Sequence, residues 1–230
     1  MSLRKNTLWN IFGMGVPLLV GVVAIPYLLQ RIGVELLGIL TIAWALIGYF
    51  GLFDFGLGRA LTQQLSVCRA AGNDAEVPGL AKSGLLFTAW AGVCGGLILA
   101  LGAYPLAGWL NISANLHRDA FFALLISAAG VPLTTFTSGL RGVLEAYEDY
   151  QTVNILRLVL GVTNFGLPVI CEMLLGPSLA WMIGSLVAAR LVLLAAHFLA
   201  VDHKLPAGWR LAQFSRNQIR KLFSFGAWMT

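Results

Sequence analysis

Apolar residues in this chain gather into long runs separated by short polar stretches. The runs cover residues 8–29, 36–53, 85–109, 120–140, 153–175 and 179–201, and another begins at residue 222. Each complete run meets the roughly 18 to 25 mostly apolar residues that a helix needs to cross the hydrocarbon of a bilayer. Lipid offers the backbone no hydrogen-bond partner, so each run is predicted to satisfy its own amides as an α-helix. The predicted fold class is an all-α membrane protein, a polytopic bundle of six complete transmembrane helices and the start of a seventh. Residues 1–221 form the expected six-helix lobe, and residues 222–230 begin the next span.

Composition agrees with this pattern. Apolar residues make up 58% of the chain and charged ones 11%, with a mean hydropathy of +0.81, so the core is shared with lipid. The first run is too long for a signal-peptide core and lacks a small-residue cleavage motif, so it reads as a retained span. Charge then sets orientation. Arg4, Lys5, Arg59, Arg69, Lys82, Arg141, Arg157, Lys204, Arg210, Arg216, Arg220 and Lys221 fall on one side, whereas only Arg31 and Arg118 flank the other. The positive-inside rule therefore predicts a cytoplasmic N-terminus. The formal net charge of +5 follows from this topology and from attraction to anionic membrane lipids, and it does not point to nucleic acid.

Two stretches outside the runs carry local signals. Residues 59–82 contain a turn-like Ala-Gly-Asn-Asp sequence at positions 71–74. Residues 202–221 place Trp209, Leu211, Phe214 and Ile219 among Arg210, Arg216, Arg220 and Lys221, a pattern that suits either a short helix on the inner leaflet or a plain basic connector. The sequence "RKLFSFGAWMT" at residues 220–230 is similar to "RKNTLWNIFGMG" at residues 4–15. This chain is therefore expected to be one half of a longer protein, whose second half repeats the first in parallel about an axis along the membrane normal.

The candidate chemistry lies in charges inside the spans. An arginine at the centre of a membrane helix costs about 2.5 to 3.5 kcal/mol on insertion scales, so it calls for a partner or a wet cavity. Arg190 lies near the middle of the sixth run, and Arg157 lies about two turns into the fifth. Arg157 shares a helical face with Asn154, Gly161, Asn164 and Pro168. The fourth run aligns Ser127, Thr134, Ser138, Arg141 and Glu145, and the first aligns Asn6, Asn10, Gly13, Pro17 and Gly21. Such stripes either line a cavity or allow close helix packing, the role expected of Gly92 and Gly96 in the third run. Arg59 and Arg141 sit where they can snorkel to headgroups, and Asp54, near Arg59, is either half of an ion pair or an ion-coupling carboxylate. Because arginine grips phosphate and carboxylate in bidentate fashion, a cavity lined by Arg157, Arg190, Arg141 and Arg59, with Asn154 and Asn164, favours an anionic substrate.

Prolines 17, 26, 132 and 168 fall within or near the ends of runs and permit bends there. Motifs for ATP binding, metal hydrolysis or acyl transfer are absent, as is an Asp-rich pair for magnesium, so no enzyme activity, cofactor or metal is predicted. His117, His197 and His203 are scattered. Cys68, Cys94 and Cys171 lack metal or disulfide spacing and read as small apolar residues.

Two segments carry a family resemblance. "PYLLQRIGVELLGILTIAWALIGYFGLFDFGLGRALTQQLS" at residues 26–66 resembles the first two spans of bacterial polysaccharide-repeat flippases, the Wzx-like branch of the multidrug/oligosaccharidyl-lipid/polysaccharide exporter superfamily. "GLRGVLEAYEDYQTVNILRLVLG" at residues 139–161 resembles that family's junction between spans four and five. The likeness runs over essentially all of this chain and would cover the N-terminal half of a family member. It implies one lobe of a two-lobe, MATE-like transporter in the bacterial inner membrane. The implied activity is to flip an undecaprenyl-diphosphate-linked oligosaccharide between leaflets for O-antigen, capsule or exopolysaccharide synthesis. Implied partners are that lipid-linked oligosaccharide, a polysaccharide polymerase and a chain-length regulator.

Three other readings stand beside this one. A drug or metabolite exporter of the same superfamily, driven by Na⁺ or H⁺, would need membrane carboxylates, for which Asp54 and Glu172 are the candidates. A non-transporting membrane scaffold or gene remnant would follow if the second half were missing from the gene product. A membrane glycosyltransferase would need the acidic motif that is absent here.

Overall fold

The computed structural model describes residues 3–50 and 56–213, with side chains described for residues 15–47, 56 and 58–213. Among the described residues all regular structure is helical: α1 (Leu3–Phe50), α2 (Leu57–Ala70), α3 (Val77–Trp109), α4 (His117–Ala146), α5 (Tyr150–Leu175) and α6 (Leu179–Lys204), with short 3₁₀ turns at Ala114–Leu116 and Trp209–Leu211. Five of these helices are long and apolar enough to cross a membrane, and the chain is a multi-pass membrane protein. The predicted runs therefore extend by several residues at most ends, for instance from residues 120–140 to His117–Ala146.

The first of the five contains two of the predicted runs. At Gly33 the backbone leaves the helix with φ 82° and ψ 173°, a conformation that only glycine adopts without strain. Both arms of α1 touch the same residue of α5. A Cβ on Gly21 would lie 3.4 Å from the ring of Phe165, and the ring of Trp44 sits 5.3 Å from that same ring. In a straight helix, residues 21 and 44 would be about 34 Å apart. The chain therefore doubles back at Gly33, and α1 is a helical hairpin clasping α5.

Small residues set how closely the other helices approach. Pro132 has no N–H to donate to the carbonyl of Ala128 one turn back. A Cβ on Gly96 would come 2.9 Å from that carbonyl oxygen, and one on Gly92 would come 2.8 Å from the Cα of Pro132. The predicted packing role of Gly92 and Gly96 is what the structure shows. Pro132 is thus a packing element in which glycine backbone covers a carbonyl freed from its own helix. A Cβ on Gly161 would likewise overlap the ring of Pro17, joining α5 to the first arm of α1.

The 59–82 stretch holds a helix that hydropathy did not reveal. α2 packs on α3 and α4, where Thr62 donates to the carbonyl of Gly142 at 3.0 Å, and its core side includes the fully buried Leu61 and Leu65. In the 202–221 stretch, Trp209 packs into the bundle. It is buried, donates to Asp202 at 2.8 Å and packs beside Phe198. Phe214, Ile219 and the seventh run at 222–230 lie outside the described residues.

Two apolar clusters hold the bundle. One joins Leu65, Leu85, Leu144, Val201 and Trp209 near the ends of α2, α3, α4 and α6, and the other joins Leu28, Leu40, Leu124, Met182 and Leu186 of α1, α4 and α6. On α6, Arg190 falls between Leu186 of the second cluster and Leu194 and Phe198 beside the first. Arg157 on α5 and Arg190 on α6 therefore lie between the two cores, whereas Arg141 and Glu145 on α4 lie beside the first.

Candidate functional site

Three helices supply these charges. On α4, the side chain of Arg141 lies along its own helix, 3.5 Å from Glu145 one turn on. From α5, Arg157 approaches the same carboxylate at 4.0 Å. One carboxylate thus serves two guanidinium groups, and the cluster keeps a positive balance while remaining partly exposed.

About two turns further along α5, roughly 10 Å from Arg157 along the axis, Asn164 meets α6. Its Oδ1 accepts a hydrogen bond from Arg190 Nη2 at 3.1 Å, and Arg190 Nη1 donates to the Leu186 carbonyl at 3.3 Å. The Nε of Arg190 is buried and has no partner among the described residues. Among the described residues, no carboxylate oxygen lies within 4.0 Å of this guanidinium. Pro168 cannot donate to the Asn164 carbonyl one turn back, so the same residue also presents a backbone acceptor released from the helical ladder. Asn154 is buried, and its Oδ1 is unpaired among the described residues.

The predicted site residues therefore divide. Arg141 and Arg157 come together on Glu145, and Arg190 and Asn164 form a second pair deeper along α5. Arg59 stays exposed on α2, next to Gly58, whose carbonyl faces Gly142 beside Arg141. Asp54 lies outside the described residues. Of the uncharged stripes, much is packing: Gly161 meets Pro17, Pro168 is buried, and the buried Ser127 returns its hydroxyl to the Ala123 carbonyl at 2.7 Å.

The pairing of one named carboxylate was not legible in the sequence. At the opposite end of α5, Glu172 is almost fully buried, with 4% of its side chain exposed. It accepts from Arg31 Nε at 3.0 Å and from the Tyr27 hydroxyl at 2.7 Å. Tyr27 and Arg31 stand one turn apart on α1, which hinted at a shared partner. That partner lies 141 residues beyond Arg31 and is reached because the first arm of α1 packs along α5.

A central cation without a carboxylate, held between two apolar cores, suits recognition of anions in a membrane. The family model for polysaccharide biosynthesis proteins matches residues 3–230. The chain belongs to that family. The chain is 29% identical over 232 aligned residues to a Shigella flexneri protein described as "Putative O-antigen transporter". The alignment takes in 100% of this chain and 54% of that relative, so the chain spans about half the relative's length. No solved structure matches it.

Proposed function

We propose that this chain is one lobe of a carrier that flips an undecaprenyl-diphosphate-linked oligosaccharide from the inner to the outer leaflet of a bacterial inner membrane. The two arms of α1 count as separate spans, which with α3 to α6 makes six, and residues 222–230 start a seventh. A second lobe of similar size closes the cavity in the manner of a MATE-like transporter. The excess of basic residues on one side puts the N-terminus in the cytoplasm.

The observation that carries this reading is Arg190, partly buried between two cores and, among the described residues, bonded to the neutral Asn164 side chain and a backbone carbonyl with its buried Nε unpaired. A diphosphate can fill its unpaired valence with charge-assisted bonds, and Arg141 and Arg157, sharing one carboxylate, draw the same anion from the partly exposed end. Family membership and the O-antigen transporter name of the Shigella flexneri relative support the substrate class. An ion-coupled drug exporter is less well supported, because the buried Glu172 is already engaged by Arg31 and Tyr27.

Deleting the gene tests the proposal, with surface polysaccharide and lipid-linked sugar units measured in the same cells. Loss of polymer with accumulation of lipid-linked units is the expected outcome, and complementation by Arg190→Glu should fail while the protein is still present. An unchanged polymer in the deletion strain refutes the transport reading.

A further inference from the structure

A cavity of about 590 Å³ opens at the far end of α3 and α4, away from Arg190. Its size falls within the roughly 300–1,000 Å³ of small-molecule sites. Tyr104, Pro105 and Trp109 of α3 line one side, and His117, Arg118 and Phe121 of α4 line the other. Tyr104 and Trp109 are 78% and 82% exposed, as amphipathic aromatics are when they sit at the headgroup level of a bilayer. Below them Leu97 and Leu101, the latter 82% exposed, continue the same face of α3 toward the hydrocarbon.

Two polar groups give this apolar groove a chemical preference. The Arg118 guanidinium rests 5.8 Å from the ring centre of Phe122 and, among the described residues, has no carboxylate oxygen within 4.0 Å. It is a free bidentate donor for a phosphate. His117 is oriented by the Ala107 carbonyl, 2.9 Å from its Nδ1. A carbonyl only accepts, so Nδ1 carries the hydrogen, and in the neutral ring Nε2 is left as an acceptor. The site thus offers a cation beside an acceptor at the mouth of an apolar slot.

We propose that this groove binds a glycerophospholipid of the surrounding leaflet whose headgroup carries an N–H or O–H donor, such as ethanolamine or glycerol. Arg118 takes the phosphate, His117 Nε2 accepts from the headgroup donor, and one acyl chain runs along Leu101 and Leu97. Choline lacks that donor and is disfavoured. The site depends on membrane insertion and not on the transport reading, so the two stand or fall separately.

The test reconstitutes the full protein in vesicles of equal parts phosphatidylethanolamine, phosphatidylglycerol and phosphatidylcholine, then measures the lipids retained on it by native mass spectrometry. The unaltered protein should retain the ethanolamine and glycerol lipids over the choline lipid. Arg118→Gln should retain roughly tenfold less, the effect of one charge-assisted hydrogen bond. His117→Phe keeps the ring volume and should abolish the preference over choline while retention persists. A matching thermal transition keeps folding defects apart from lost binding, and Arg210→Gln, at the other end of the bundle, serves as a control. Equal retention by the unaltered protein and Arg118→Gln overturns the proposal, as does the absence of discrimination against choline or a groove that holds no lipid.

Discussion

Asn164 on α5 accepts a hydrogen bond from Arg190 on α6 at 3.1 Å, a neutral acceptor facing a partly buried cation. Asn164→Asp changes the shape little but supplies the missing charge, so the pair becomes an internal salt bridge. Transport should then fall sharply while thermal stability in detergent holds or rises, because the guanidinium no longer needs an outside anion. Asn164→Leu instead leaves the donor unpaired and should cost about 1–3 kcal/mol. Accumulation of lipid-linked sugar in cells, read beside melting curves of the purified variants, separates the two effects.

Gly96 covers the Ala128 carbonyl that Pro132 leaves without a donor, and Gly92 lies on the Pro132 backbone. Alanine at either position forces the α3 and α4 backbones apart, and an overpacked contact of this kind costs about 1–3 kcal/mol. Gly166 on α5 has nothing within 4 Å of its would-be Cβ. Gly166→Ala should therefore change stability by less than about 0.5 kcal/mol. Melting temperature and expressed protein level for the three variants check this contrast.

The helices were legible in the sequence because the bilayer rule acts locally: a run of about 20 apolar residues must become a helix. α2 was not, since the fully buried Leu61 and Leu65 alternate with polar residues and its stability comes from packing on α3 and α4. In the candidate site, the burial of Arg190 could be read from its depth in a run, whereas its pairing with Asn164 depends on the rotation of two helices about their axes. Glu172 lay further from reach. Its partners Arg31 and Tyr27 meet it because the first arm of α1 packs along α5, and no local periodicity encodes a contact between such distant elements.

Arg31 and Glu172 should respond unequally to removal. Glu172 is nearly fully buried, whereas Arg31 is 58% exposed and can hydrate at the membrane surface when it loses its partner. Arg31→Ala strands a buried carboxylate with only the Tyr27 hydroxyl to serve it. It should lower the melting temperature more than Glu172→Gln, which leaves a neutral amide within reach of both donors. The double variant should recover much of the loss, giving a coupling in a double-mutant cycle. Equal effects of the two single changes would show that the ion pair is not the element joining α1 to α5 at this end.

Asp149, in the turn between α4 and α5, caps α5 by accepting from the Thr152 amide at 3.3 Å and pairs with Lys204 at 3.0 Å. Burial pushes its carboxyl up, but the bonds from Lys204 and Thr152 outweigh that and hold it below its ordinary value. A carboxylate lowered on folding stabilises the protein above its unfolded pKa of about 3.9, and that stability is lost as pH falls through the lower folded value. Asp149→Asn keeps a capping oxygen but loses the charge that pairs with Lys204, so it should cost about 0.2–1 kcal/mol near neutral pH, the usual worth of a partly exposed ion pair. The gap between the two proteins should stay constant down to about pH 5 and close progressively below pH 4, where the native side chain takes up its proton. Thermal unfolding of both proteins in detergent from pH 7 to pH 3 measures that gap. A difference that persists undiminished in acid would mean that the geometry of the cap, and not the charge of Asp149, fastens α5 to the end of α6.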